Sequence, residues 1–266
     1  MAGCIAKIDI EKVILIAREA GGKIMDVYKN ENLFVEKKED SSPITLADKL
    51  SHLLITERLS TYYPDIPVVS EEESVDYSTR KDWQHFWLVD PLDGTKEFIS
   101  RNGEFTVNIA LISEHEPVLG AIYVPVMQET YYAVKGSGAY KIERDGRRVH
   151  LKTAEGVKDG SVTVVASRSH NTKEVEEYVA ELKKKFKSVD YVSAGSSLKF
   201  CLVAEGKAQI YPRLGPTMEW DTAAGQIIVE EAGGALVDKM SLKSISYNRE
   251  RLVNSSFIVS ASSIYY

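Results

Sequence analysis

The sequence predicts a mixed fold, α+β with an antiparallel character in its first half and α/β in its second. Three observations predict it: an amphipathic helical repeat near the N-terminus, a following series of short β-branched and aromatic runs, and an alternation of strand and helix patterns beyond about residue 155. At 266 residues the chain stands near the size at which one core divides. Two subdomains are therefore expected, 1–155 and 156–266, with the turn-rich Ala154-Glu155-Gly156 and Asp159-Gly160 at the join.

The first helix is read from Ile10, Val13, Ile14, Ala17, Ile24 and Tyr28, which fall on one face at helical spacing. A second starts at Thr45, whose hydroxyl and the Asp48 carboxylate form a capping box, with Leu46, Leu50, Leu53 and Leu54 as its expected buried side. Pro67–Val69, Phe86–Val89, Phe105–Ile112, Val118–Val124 and Thr130–Val134 read as strands. Asp145-Gly146 between Ala139–Ile142 and Arg148–Leu151 is a hairpin signal. Further on, Val162–Ala166, Ala208–Tyr211 and Phe257–Val259 read as strands. Thr172–Phe186, Ser197–Ala204 and Trp220–Glu231 read as helices, the last closed by Gly233-Gly234.

Composition narrows the function. An apolar content of 44% with 27% charged residues is that of a packed globular chain. Thirty-three basic against 39 acidic residues leave a net charge of −6, a poor footprint for a nucleic-acid backbone, so no nucleic-acid partner is expected. Cys4 and Cys201 are too few and too far apart for a disulfide framework. No run of residues suffices to span a membrane, and charges interrupt the apolar N-terminus. A cytoplasmic setting is expected.

The segment with the most chemistry in it is Trp87-Leu88-Val89-Asp90-Pro91-Leu92-Asp93-Gly94-Thr95. Two acids three residues apart close an apolar strand; Pro91 sets the chain direction and Gly94 removes a Cβ from the path of a ligand. Convergent carboxylates bind a hard cation, and a helical turn from Thr95 presents free N–H groups to a phosphate. Ser70-Glu71-Glu72-Glu73 and Glu219-Trp220-Asp221 add acids. Each has an ordinary reading as well: two turns, a solvated acidic loop, and a first-turn Asp that favours the helix dipole. Asp48 is likewise accounted for by its cap.

Taken together and in order, Asp48, Ser70-Glu71-Glu72, Asp90-Pro91-Leu92-Asp93-Gly94-Thr95, Trp220-Asp221 and Glu231-Ala232-Gly233-Gly234 resemble the inositol monophosphatase superfamily of lithium-sensitive, magnesium-dependent phosphatases. Ser167-Arg168-Ser169-His170, Gly195-Ser196-Ser197-Leu198-Lys199 and Tyr211-Pro212-Arg213 resemble its 3′(2′),5′-bisphosphate nucleotidase branch. The resemblance implies a layered αβαβα sandwich with the active site between the two halves. It implies two or three Mg²⁺ ions on Glu71, Asp90, Asp93, Asp221 and the Leu92 carbonyl, with Glu71 preferred over Glu72 and Glu73 by its place after Ser70. It further implies catalytic roles for Asp48, Thr95 and Asp93, and substrate contacts from Gly94, Thr95, His170, Ser196, Lys199 and Arg213. The implied substrate is a nucleotide bisphosphate, 3′-phosphoadenosine 5′-phosphate. Read as residues alone, Lys199 and Arg213 are also ordinary surface charges and His170 a structural histidine. An inositol monophosphatase, a fructose bisphosphatase or another small-molecule phosphatase on the same scaffold, and a non-catalytic nucleotide sensor, remain as rival readings.

Overall fold

A computed structural model describes residues 8–30, 35–37, 43–73, 75–157, 159–167 and 173–261. Two helices come early, α1 (Ile10–Tyr28) and α2 (Leu46–Tyr62), the second preceded by a small ribbon of β1 (Val35–Lys37) and β2 (Pro43–Thr45). A seven-stranded sheet follows: β3 (Val68–Ser70), β4 (His85–Asp93), β5 (Thr106–Ser113), β6 (Glu116–Val124), β7 (Glu129–Val134), β8 (Ala139–Ile142) and β9 (Arg148–His150), neighbours in chain order. Only β3 and β4 pair in parallel. Short helices α3 (Tyr77–Arg80) and α4 (Thr95–Ile99) flank β4.

The second half builds a five-stranded sheet, in the order β11 (Ser188–Ala194), β10 (Ser161–Ser167), β12 (Ile210–Arg213), β14 (Phe257–Ser260) and β13 (Ala235–Asp238). Its helices are α5 (Lys173–Lys185), α6 (Leu198–Ala204) and α7 (Glu219–Glu231). Strand alternation shows how the layers stack, because successive side chains leave opposite faces. In β4, Trp87 and Val89 join the core shared with α1 and α2, whereas Phe86 and Leu88 join the core shared with α6 and α7. In β14, Phe257 and Val259 face α6 and α7, whereas Ile258 joins Val162, Val164, Ile210 and Leu182 of α5 on the outer face. Three cores between five layers make the αβαβα sandwich. The central core draws on both sheets and is continuous across the join near residue 155.

Several sequence expectations need correction. The fully buried side of α2 is Ala47, Asp48, Ser51, Ile55 and Leu59; of the expected leucines, Leu50 and Leu54 are half-buried against the same core. Leu46 and Leu53 are exposed, because the capping box turns Asp48 inward and carries the polar face of the helix over the site. Strand β4 does not end at Pro91 but runs on to Asp93 through a register shift against β5. Strand β11 carries no expectation, since four of its seven residues are exposed and only Ala194 is buried, on an edge that shows no alternation. Short β13 and α3 carry no expectation either.

Candidate active site

The C-terminal end of β4, the N-terminus of α2, the loop before α6 and the N-terminus of α7 meet at one cleft. Asp90 is buried at the end of β4, opposite Asn108 in the ladder to β5, and its Oδ1 accepts the Leu92 N–H at 3.0 Å. The register shift then swings Asp93 toward the second half of the chain. Gly94 follows with φ of 93°, and a Cβ there would meet the Glu104 carbonyl oxygen and Ser196 Cβ, each at 3.2 Å. The turn therefore needs glycine on two counts.

Asp48 caps α2 through Oδ2, which accepts from the Thr45 N–H at 2.7 Å and the Thr45 hydroxyl at 2.6 Å. Its Oδ1 accepts from the Thr95 hydroxyl at 3.2 Å. The same hydroxyl is 3.5 Å from the Leu92 carbonyl oxygen. Asp221 opens α7, its Oδ2 accepting the Met218 N–H at 2.8 Å.

These acids raise one another's affinity for protons. Burial pushes the Asp90 carboxyl well above the ordinary carboxylate range, and the charges of Glu71, Asp93, Asp221 and Asp48 add to that in turn. Asp221 is pushed up to about 8, by burial first and then by the Asp93 charge, with Glu71 contributing. Of the three consecutive glutamates only Glu71 ranks among the leading charges on both. Glu73 instead lies 3.6 Å from His52 Nε2. The carboxylates are gathered but not closed: among the described residues no three acidic, His or Cys side chains already converge as a cation cage. Hard oxygen donors whose mutual repulsion is left uncancelled are the chemistry that Mg²⁺ satisfies, so the residues fit the ion.

Beside the acids a cleft of about 520 Å³, open to solvent, is lined by Asp93, Gly94, Glu97, Ser196, Lys199, Arg213 and Asp221 among others. The loop before α6 is strained, Ser196 standing at φ of 43°, with its buried Oγ lacking a partner among the described residues. Arg213 donates to the Pro216 carbonyl at 3.1 Å while its Nε has no partner there. Lys199 is not the surface charge its residue type suggests. It is 5% exposed, donates to the Ser196 carbonyl at 2.6 Å and lies 5.4 Å from the centre of the Tyr211 ring. Burial pushes its ammonium down to about 8, against the pull of Asp93. Arg168 and His170 lie outside the described residues.

Two residues at this site escaped the sequence reading. The Ser197 hydroxyl donates to Asp93 Oδ2 at 2.6 Å, and Asn108 Nδ2 donates to Ser197 Oγ at 2.8 Å. The available signal was Thr106 and Asn108, two polar residues on one face of an otherwise apolar strand, opposite Asp93 and Asp90.

Comparison with known proteins identifies the family. The family model described as "Inositol monophosphatase family" matches residues 7–263. The chain belongs to the inositol monophosphatase family. Within that family it is 49% identical over 253 residues to the 3′(2′),5′-bisphosphate nucleotidase CysQ of Salmonella typhimurium, covering 94% of this chain and 98% of that protein. To the protein of the same name from Escherichia coli strain K12 it is 48% identical over 254 residues, covering 94% of this chain and 99% of that protein. The crystal structure of CysQ from Bacteroides thetaiotaomicron, a bacterial family member, superposes with a TM-score of 0.84 at 45% identity, over 95% of this chain and 96% of that one. Family enzymes are metal-dependent phosphatases, typically with Mg²⁺, and the layered fold of this chain is theirs.

Proposed function

We propose that this chain is a Mg²⁺-dependent 3′(2′),5′-bisphosphate nucleotidase that hydrolyses 3′-phosphoadenosine 5′-phosphate to AMP and phosphate. The single observation that carries the reading is its similarity, at 47–49% identity over 94% of the chain, to proteins named for that activity. The site supports it: an acid cluster suited to hard cations adjoins a cleft with two cationic side chains, which is what a substrate with a second phosphate requires.

Glu71, Asp90, Asp93, Asp221 and the carbonyl of Leu92 hold Mg²⁺ in this reading, as two or three ions. When bound, Mg²⁺ neutralises the scissile phosphate and makes a water molecule a stronger nucleophile at neutral pH. The rest falls to the chain. The Thr95 hydroxyl, 3.2 Å from Asp48 Oδ1, takes the proton of the attacking water as its own passes to Asp48. Attack proceeds in line with the leaving ribose oxygen, which takes a proton from solvent to become the hydroxyl of AMP, and the N–H groups of Gly94 and Thr95 orient the phosphate. Ser196, Lys199, Arg213 and His170 hold the nucleotide end. The chain organises this as two subdomains, 1–155 supplying most metal ligands and 156–266 the specificity residues. No helix among the described residues is long and apolar enough to cross a membrane.

A phosphate-release assay with Mg²⁺ on a panel of 3′-phosphoadenosine 5′-phosphate and inositol 1-phosphate tests the reading. The nucleotide should give the higher kcat/KM. Lys199→Ala and Arg213→Ala should each lower kcat/KM for the nucleotide about tenfold to a hundredfold, mostly through KM, because a charge-assisted contact in a cleft is worth roughly 1.5–3 kcal/mol. Inositol 1-phosphate, with no second phosphate or base, should be turned over as poorly as by the wild type. A wild-type preference for inositol 1-phosphate, or parallel losses on both substrates, would move the reading to an inositol phosphatase.

A further inference from the structure

We propose that Ser197, oriented by Asn108, selects the cation of this site by occupying one oxygen of Asp93, so that Asp93 offers a cation a single oxygen. The inference rests on the reading above that Asp93 is a metal ligand.

The contacts run in one direction. The Thr106 hydroxyl donates to Asn108 Oδ1 at 3.0 Å, which fixes the amide with Nδ2 toward the site. That Nδ2 donates to Ser197 Oγ at 2.8 Å and stands 3.4 Å from Asp93 Oδ2. The Ser197 hydroxyl has one proton and two acceptors in reach, Asp93 Oδ2 at 2.6 Å and the Asp221 carbonyl oxygen at 3.1 Å. The carboxylate, nearer and charged, is the stronger acceptor. Thr106, Asn108 and Ser197 are all buried, so water does not compete for these bonds.

Asp93 thereby joins a pattern. Asp90 has Oδ1 tied to the Leu92 N–H and Asp221 has Oδ2 tied to the Met218 N–H. In all three acids the second oxygen has no hydrogen-bond donor among the described residues. Three carboxylates that can each give one oxygen suit a small cation of strict octahedral demand. Ca²⁺, which takes more and longer contacts and often both oxygens of a carboxylate, must compete with a hydrogen bond for the second one. The ties of Asp90 and Asp221 are backbone groups, removed only by a proline that would also disturb the chain. The tie of Asp93 comes from side chains, one of them 104 residues away on the opposite half of the cleft, so it can be deleted with the backbone left in place.

Calorimetric titration of the full chain with Mg²⁺ and with Ca²⁺, without substrate, tests the proposal. Ser197→Ala should raise the ratio of Ca²⁺ to Mg²⁺ affinity, and Asn108→Ala/Ser197→Ala should raise it further, to about tenfold or more, since in the single variant the Asn108 amide can close its 3.4 Å gap to Asp93. Ser197→Thr, which keeps the hydroxyl, should restore the wild-type ratio. A general loss of stability lowers Tm but does not favour one cation over the other, so the ratio separates selection from support of the fold. An unchanged ratio in the folded double variant overturns the proposal, as does failure of both Ser197→Ala and the double variant to fold, which would make the pair structural. Asp93→Asn is the control on the underlying reading: if it binds both cations as the wild type does, Asp93 is no ligand and that reading fails first. If it loses binding while the Ser197 variants keep the wild-type ratio, only the present inference falls.

Discussion

At the scale of single residues, this site is made of side chains placed where their ordinary behaviour is suppressed. Asp90 is a carboxylate buried among other carboxylates, an arrangement that costs stability unless a cation completes it. Asp93→Asn keeps the shape and removes the charge; turnover of 3′-phosphoadenosine 5′-phosphate at saturating Mg²⁺ should fall about a hundredfold or more, with the circular dichroism spectrum unchanged. Activity near the wild type would remove Asp93 from the metal site. Asp238 shows the opposite situation, a carboxylate rich in donors. The Ser255 hydroxyl, the Ser241 and Met240 N–H groups and the Ser241 hydroxyl all point at it and hold its pKa down to about 2. A carboxylate whose pKa is depressed on folding contributes stability above its unfolded value near 4, and that contribution is lost as pH falls through about 2. In Asp238→Asn the decline of Tm between about pH 4 and pH 2 should be shallower than in the wild type, modestly so because solvent reaches the site. An acid limb of equal steepness in both proteins would show that these bonds do not hold the charge.

At the scale of elements, the decisive contact is the close approach of α6 and α7 between the sheets. A Cβ on Gly225 of α7 would stand 2.4 Å from Cγ of Phe200, and one on Gly120 of β6 would stand 2.6 Å from Ile227 Cγ2. Phe200 cannot retreat easily, since its ring is stacked on Phe257 at 6.1 Å and meets Tyr211 edge-on at 5.3 Å. Gly225→Ala should therefore destabilise the fold by roughly 1–3 kcal/mol through overpacking, despite the better helix propensity of alanine. Urea unfolding measures it, and a neutral or stabilising result would mean that the two helices can separate at little cost. Because α6 begins at the Ser196-Ser197 loop and α7 carries Asp221 in its first turn, the same packing sets the distance between the cleft wall and the acids.

At the scale of the molecule, a buried charge network joins the first sheet to the far end of α6. Lys141 of β8 lies 2.7 Å from Glu129 of β7 and 3.0 Å from Glu205, which follows α6, and Glu205 also accepts from the Tyr131 hydroxyl at 2.5 Å. Burial works to lower the Lys141 pKa, and the bonds to Glu129 and Glu205 outweigh it, so the net direction is up. Lys141→Met would leave Glu129 without its cation and Glu205, 8% exposed, with the solvent-exposed Lys207 alone. Loss of about 3 kcal/mol in urea unfolding is expected, the cost of breaking a buried pair from one side. A loss below about 1 kcal/mol would mean that water screens the network as it does a surface pair.

What the sequence alone determined was local. The capping box of Thr45 and Asp48, the Asp145-Gly146 hairpin, the helix face of Val13, Ile14, Ala17 and Ile24, and the run Asp90 to Thr95 are all set by residues within a turn or two of one another, where spacing and backbone chemistry decide the outcome. The order of its acidic motifs made the family legible as well. The tertiary structure decided what depends on distant segments meeting. Leu53 lies outside and Asp48 inside because the N-terminus of α2 abuts the end of β4, a fact its own periodicity does not contain. Lys199 is buried because Tyr211 and the Ser196 carbonyl close over it, though its residue type predicts exposure. The tie between Ser197 and Asp93 spans 104 residues and leaves no spacing rule to read. A hydrogen bond of that range exists only once burial of the two sheets against α6 and α7 has brought its partners together.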